Sequence, residues 1–103
     1  MGVCSRAELS RTPNLNGELP HGGKDHWPLT SALVIGAGVR GGQTFGATDP
    51  FCRGLPIDFA TGRPSPTGFQ PMYSHFIAGI LALCGADPAA HLASTPVFDA
   101  FIA

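Results

Sequence analysis

Charge is scarce in this chain. Only 13% of its 103 residues are Asp, Glu, Lys or Arg, and the formal net charge is −1. A typical soluble domain carries about a quarter charged residues. With no basic cluster, the electrostatic footprint of a nucleic-acid binder is missing. Paired cysteines are missing too. Cys4, Cys52 and Cys84 stand far apart, with no C-x-x-C. That excludes a zinc knuckle and a thioredoxin-like motif, and the odd count leaves room for at most one bridge. The longest apolar run, Phe76 to Ala86, is far too short to span a bilayer. Met1 to Ser10 has no apolar core of a signal peptide, and Arg6 stands where a myristoylation motif needs Ser or Thr. No G-x-S-x-G elbow surrounds a serine.

What the chain has in quantity is backbone punctuation. Ten prolines and fourteen glycines predict much irregular structure, while 44% hydrophobic residues suffice for one core. The most arresting glycines follow the apolar run Ala32 to Ile35. Gly36, Gly38 and Gly41 spell G-x-G-x-x-G, with Asp58 further on where a dinucleotide fold places its ribose carboxylate. That fingerprint works only if a helix starts at the last glycine and offers its N–H groups to a pyrophosphate. Here Gly42 to Pro50 adds two more glycines, β-prone residues and an Asp-Pro, and four more prolines follow from Pro56 to Pro71. No helix can run from Gly41 to Asp58. The stretch reads instead as a strand, a glycine turn and a second short strand over Gln43 to Ala47.

The clearest helix follows. Tyr73, Phe76, Ile77, Ile80, Leu81 and Cys84 share one face, between Pro71 and the Gly85 stop. The spacing predicts a helix from about Pro71 to Cys84 that packs on the strand Leu33 to Ile35. His75 falls off the apolar face, at the surface or boundary. His91 reads as a loop residue, and Val97 to Ile102 as a helical turn. Residues 49–71 read as a proline-rich excursion, with Ile57 to Phe59 a short extended piece. Pro28 begins a short helical turn before the first strand, and Met1 to Leu9 reads as an unpatterned lead-in.

Chemistry-bearing residues concentrate in two stretches, "ELSRTPNLNG" (Glu8 to Gly17) and "HGGKDHWP" (His21 to Pro28). They bring Glu8, Arg11, Thr12, His21, Lys24, Asp25 and His26 into about twenty residues of glycine-bearing chain. Imidazole and carboxylate suit a divalent ion. Arg11 and Lys24 suit an anion such as phosphate or sulfate. The plainer alternative is that Asp25 and His26 cap the next element and pair with Lys24 at the surface. Trp27 reads as a packing residue.

In order and spacing, "ELSRTPNLNG", "GKDHWP" and "ALVIGAGVRGGQTFGATD" resemble the C-terminal part of a bacterial sulfatase-like family, domain of unknown function 1501, placed in the alkaline phosphatase superfamily. The matching residues are Glu8, Ser10 to Pro13, Gly23 to Trp27, Gly36, Gly38, Gly41, Gly42, Gly46, Thr48 and Asp49. Ala7 and Leu9 depart from the commoner Ser and Phe. The resemblance implies an α/β fold, an alkaline-phosphatase-type domain with a largely parallel sheet. Of that fold this chain would hold a C-terminal part: two or three short strands, one main amphipathic helix and long Pro/Gly loops. It also implies a divalent metal (Zn²⁺, Mn²⁺ or Ca²⁺), with His26, Glu8 and Asp25 as ligand candidates and Arg11 and Lys24 as substrate contacts. Members of the family are several times longer and often exported to the periplasm. The nucleophile and early metal ligands would lie before Met1. Residues 1–103 are therefore expected to form a single partial domain that is not catalytic alone, completed by the missing part or by a second copy. The alternative is a small non-enzymatic binding module on the same scaffold.

Overall fold

A computed structural model describes residues 2–6 (their backbone), 11–12, 14–17 and 22–103. Its regular elements are β1 (Gly2–Arg6), β2 (Ala32–Gly36), α1 (Tyr73–Leu83) and α2 (Pro88–His91). This is a small mixed α/β arrangement. Most of the described chain is turns and isolated bridges, as its glycine and proline content demands.

β2 forms on the apolar run Ala32 to Ile35. Its partner is β1, antiparallel, with Gly2 opposite Gly36 and Arg6 opposite Ala32. Two expectations are corrected here. The lead-in is a strand, and Gln43 to Ala47 is not one. The reason lies in where its backbone bonds go. Gly46 N–H donates to the Gly62 carbonyl at 2.9 Å, and Leu55 N–H to the Ala47 carbonyl at 3.1 Å. The stretch is thus tied to the proline-rich segment, leaving no ladder for β2. The sheet is antiparallel, whereas the family resemblance implies a largely parallel one. Nor does a helical turn begin at Pro28, where the chain only bends.

The glycine turn after β2 behaves as expected. No helix follows it before α1, and Asp58 uses its Oδ1 to accept from Ala60 N–H at 2.8 Å. That carboxylate closes its own turn and serves no ribose. Gly38, at φ +81°, gives the turn its left-handed step, a conformation that favours glycine. The turn then receives the C-terminus. Arg40 N–H donates to the Phe101 carbonyl at 2.7 Å, Ala103 N–H to the Gly38 carbonyl at 2.8 Å, and Val39 bridges Ile102.

α1 starts after Met72, whose backbone N–H donates to His75 Nδ1 at 3.0 Å. That bond satisfies one of the orphan donors of the first turn. The helix ends in a Schellman arrangement. Gly85 N–H reaches the Ala82 carbonyl at 3.0 Å and Ala86 N–H the Leu81 carbonyl at 2.9 Å, with Gly85 at φ +83°. α2 then opens on Pro88, capped by Asp87 Oδ1 accepting from Ala89 N–H at 3.0 Å. His91 therefore ends a short helix and is not a loop residue. Val97 to Asp99 is irregular chain, followed by one turn in which Ile102 N–H donates to the Asp99 carbonyl at 2.9 Å.

The core is small. Among the described residues the buried apolar side chains are Ile57, Phe59, Ala78, Ala100 and Phe101. α1 does not pack on β2. Its most buried positions are the small Ala78 and Gly79, so the helix approaches the C-terminal segment closely. Phe76 lies 5.9 Å from the Phe101 ring, and Phe98 bridges Phe101 (5.6 Å) to Phe59 (5.5 Å). His75 is half-buried, 4.9 Å from Phe59. The proline-rich segment is thus no excursion. Ile57 is paired to Phe69 by two 2.9 Å backbone bonds, and Asp58 N–H donates to the Arg63 carbonyl. The segment closes its hydrogen bonds internally and supplies the centre of the core.

Candidate functional site

The two polar stretches come together as an antiparallel ribbon. Arg11 bridges His26 and Asn16 bridges Gly23. Between the bridges Thr12 N–H donates to the Asp25 carbonyl at 2.9 Å. From Thr12 to Asn16 the first strand advances four residues, while Asp25 to Gly23 spans two. The two extra residues bulge the first strand.

Side chains lock the bulge. Thr12 Oγ1 donates to the Asn14 carbonyl at 2.8 Å and accepts from Asp25 N–H at 3.2 Å. Asn16 is used at both ends of its amide. Its Nδ2 donates to Asp25 Oδ1 at 2.6 Å, and its Oδ1 accepts from Gly23 N–H at 2.8 Å. The carboxylate of Asp25 thus pairs with Asn16 and not with Lys24.

A second loop abuts this ribbon. Asp49 organises it, with Oδ1 accepting from Phe51 N–H (2.8 Å) and Arg53 N–H (2.9 Å) and Oδ2 from Arg53 Nε (2.9 Å). Arg53 also lies over the Phe51 ring at 5.2 Å. Cys52 takes a left-handed backbone at φ +61°. Its carbonyl accepts from Trp27 Nε1–H at 2.6 Å, which clamps the loop to the ribbon.

Between ribbon and loop lies an open groove of about 460 Å³, lined by Thr12, Asn14, Leu15, Asn16, Asp25, Trp27, Pro50, Phe51 and Cys52. Strand alternation explains which residues reach it. Asp25 and Trp27 face the groove. Lys24 and His26 belong to the other face, together with Arg11, the residue opposite His26. All three are exposed. The ligand candidates are therefore divided. Asp25 lines the groove, His26 stands on the outer face, and Glu8 lies outside the described residues, as does His21. Among the described residues no group of three or more His, Cys, Asp or Glu side chains is placed to hold a metal ion. Cys52 and Cys84 are free and exposed.

Asn14, Asn16, Asp49, Phe51 and Cys52 were not singled out as site residues from sequence. The available signal was the Asp-Pro pair at 49–50, a turn former whose aspartate caps its own loop. The backbone N–H of Arg53 is the foremost cause of a lowered Asp49 pKa, below the ordinary 3.8. A carboxylate with a depressed folded-state value stabilises the native state above its unfolded value, and that contribution is lost as pH falls through the folded value. The loop should therefore hold at neutral pH and loosen only below pH 3.8. Asp49→Asn should remove this acid step. It should also speed hydrogen exchange at Phe51 and Arg53 and alter Trp27 emission. Unchanged exchange at both amides would show that the carboxylate does not hold the loop.

Among the described residues no helix is long and apolar enough to cross a membrane. Comparison with proteins of curated function gives no match, and neither does comparison with solved structures. A family model described as "Protein of unknown function (DUF1501)" matches residues 3–91, which takes in the ribbon, the glycine turn, the Asp49 loop and both helices. The chain belongs to that family.

Proposed function

We propose that this chain is one part of a sulfatase- or phosphatase-like metal-dependent hydrolase domain of the alkaline phosphatase type, and that residues 1–103 alone do not turn over substrate. The observation that supports this reading is the gathering of the family-matching stretches. Residues 11–12 and 14–16, 23–27 and 48–53 come from separate stretches of the sequence, yet they form one wall held by side-chain and backbone bonds. On its outer face Arg11, Lys24 and His26 offer two cations and an imidazole to solvent. A phosphate or sulfate group suits that set, because guanidinium and ammonium donate charge-assisted hydrogen bonds to such oxygens.

The superfamily likeness also brings in a divalent ion, Zn²⁺, Mn²⁺ or Ca²⁺. The described donors do not fit one as a set. Asp25 and His26 are neighbours on extended chain and serve opposite faces, and Asp25 Oδ1 already accepts from Asn16. His26 is the proposed ligand of the outer face and Glu8 its proposed partner, with Asp25 the next residue along the same strand. Further ligands would come from another part of the domain or from a second copy.

Two measurements test the reading. Inorganic sulfate or phosphate should shift the amide resonances of Arg11, Lys24 and His26, and Arg11→Ala should abolish those shifts. Chromogenic phosphate and sulfate esters should show no turnover with the isolated chain, whichever of the three ions is added. Metal-dependent turnover that His26→Ala removes would mean that the chain carries a complete site. No shift with either anion would count against the outer face as substrate wall. A second reading, a small non-enzymatic binding module, is favoured by the groove on the opposite face.

A further inference from the structure

The groove has a chemistry of its own, distinct from that of the outer face. Its lining holds two aromatic rings, Trp27 and Phe51, and four hydrogen-bonding side chains, Thr12, Asn14, Asn16 and Asp25. Among the described residues no Arg or Lys lines it, and Arg53, over the Phe51 ring, is paired with Asp49. An anion would meet the Asp25 carboxylate there, while the Arg53 guanidinium is already paired with Asp49, so phosphate, sulfate and nucleic acid are disfavoured. A purely apolar ligand would strand amide and carboxylate groups without partners.

We infer that the groove binds a neutral carbohydrate, one or two pyranose units of an oligosaccharide. A pyranose has an apolar face of C–H groups that lies flat on an aromatic ring, and a rim of hydroxyls that both donate and accept. The groove offers both complements. Phe51 is 69% exposed, a large aromatic surface beside the polar wall, with Arg53 over its ring at 5.2 Å. Trp27 is half-buried and fixed by its Nε1–H bond to the Cys52 carbonyl, so its ring pays little entropy on binding. Asp25 is held in place through Oδ1, while Oδ2 takes no hydrogen bond from the described residues. The side-chain amide of Asn14 is likewise unengaged among them. A carboxylate oxygen and a primary amide together present acceptors and donors to adjacent hydroxyls. A small number of fixed polar groups against aromatic walls is the general make-up of a small-molecule site. This inference stands whether or not the hydrolase reading holds.

Trp27 is the single tryptophan of the chain, so its emission reports on the groove directly. The purified chain is titrated with cellotetraose, xylotetraose, maltotetraose and chitotetraose, and separately with inorganic sulfate and phosphate. At least one neutral oligosaccharide should give a saturable change with a Kd of about 1 mM or tighter. Phe51→Ala and Asn14→Ala should each weaken it by about tenfold. Both residues are exposed, so neither substitution threatens the fold, and an unchanged urea midpoint confirms this. His91→Ala, on exposed α2, should leave binding unchanged. Three results would overturn the assignment: no saturable change with any of the four sugars, binding that survives both groove variants, or sulfate or phosphate competing for the site.

Discussion

Replacing Gly79 with alanine should unfold the protein or bring it close to unfolding, although the exchange favours helix formation locally. In a helix interior alanine exceeds glycine by about 1 kcal/mol. The surroundings reverse that sign. A Cβ at position 79 would stand 2.0 Å from the Phe98 carbonyl oxygen and 2.9 Å from the Phe101 ring. The first of these is backbone and cannot turn away as a flexible side chain would. Relief requires α1 to lift from residues 98–101, which separates it from the aromatic cluster that Phe76, Phe98 and Phe101 form. Overpacking of this kind costs about 1–3 kcal/mol, occasionally more. Set against the local gain, that leaves a net loss of up to about 2 kcal/mol, more where the backbone contact cannot relax, which is severe for a domain with so small a core. Gly41→Ala is the matched control, because a Cβ there meets nothing within 4 Å. Urea denaturation of the two variants beside the parent decides the matter. Equal midpoints for Gly79→Ala and the parent would mean that α1 does not rest on the C-terminal segment.

How far the sequence discloses this arrangement depends on the element. α1 was legible because its apolar spacing is long and both ends carry punctuation, Pro71 before and Gly85 after. The absence of a helix after Gly41 was legible for the same reason, since glycine and proline act locally. Packing partners were not. The aromatic residues Phe98 and Phe101 sit in "TPVFDAFIA", where no period points to α1. Ile57 and Phe59 lie among prolines and read as loop, yet tight turns satisfy their backbone and leave them the most buried part of the segment. Strand pairing was misjudged because Gly2–Arg6 has no alternation to announce it, and register depends on distant chain. At the site, the sequence reading takes the polar residues as one cluster. A ribbon divides neighbours between two faces, so Asp25 and His26 part company. The groove's aromatic wall comes from Phe51, in a loop whose geometry rests on one aspartate.

The remaining expectation follows from what the fold leaves bare. Leu33 is 60% exposed and Ile35 56%, on a strand whose apolar run reads as buried on both faces. Two residues apart on a strand, they point to the same side. Among the described residues β1 is the sole neighbour of β2, so its other edge presents free backbone groups. The radius of gyration, 15.7 Å, exceeds the roughly 13 Å of a compact chain of this length, which agrees with a core that stops short of covering its sheet. An apolar strand with an open edge is a template for pairing, and a second copy of this chain carries the same strand. Sedimentation of the purified chain should therefore show reversible self-association that grows with concentration. The double substitution Leu33→Glu, Ile35→Lys removes both apolar side chains from that face, each worth about 1.5–3 kcal/mol when fully buried. It should lower the association constant by at least about 100-fold, a loss of roughly 2.7 kcal/mol. Since both side chains are exposed in the single chain, circular dichroism and the urea midpoint at low concentration should scarcely move. A parent chain that stays monomeric at every concentration would show that β2 is covered in solution by the chain itself. Association undiminished in the double variant would place the contact on another surface, with the exposed Phe69, Met72 and Tyr73 the next to be substituted.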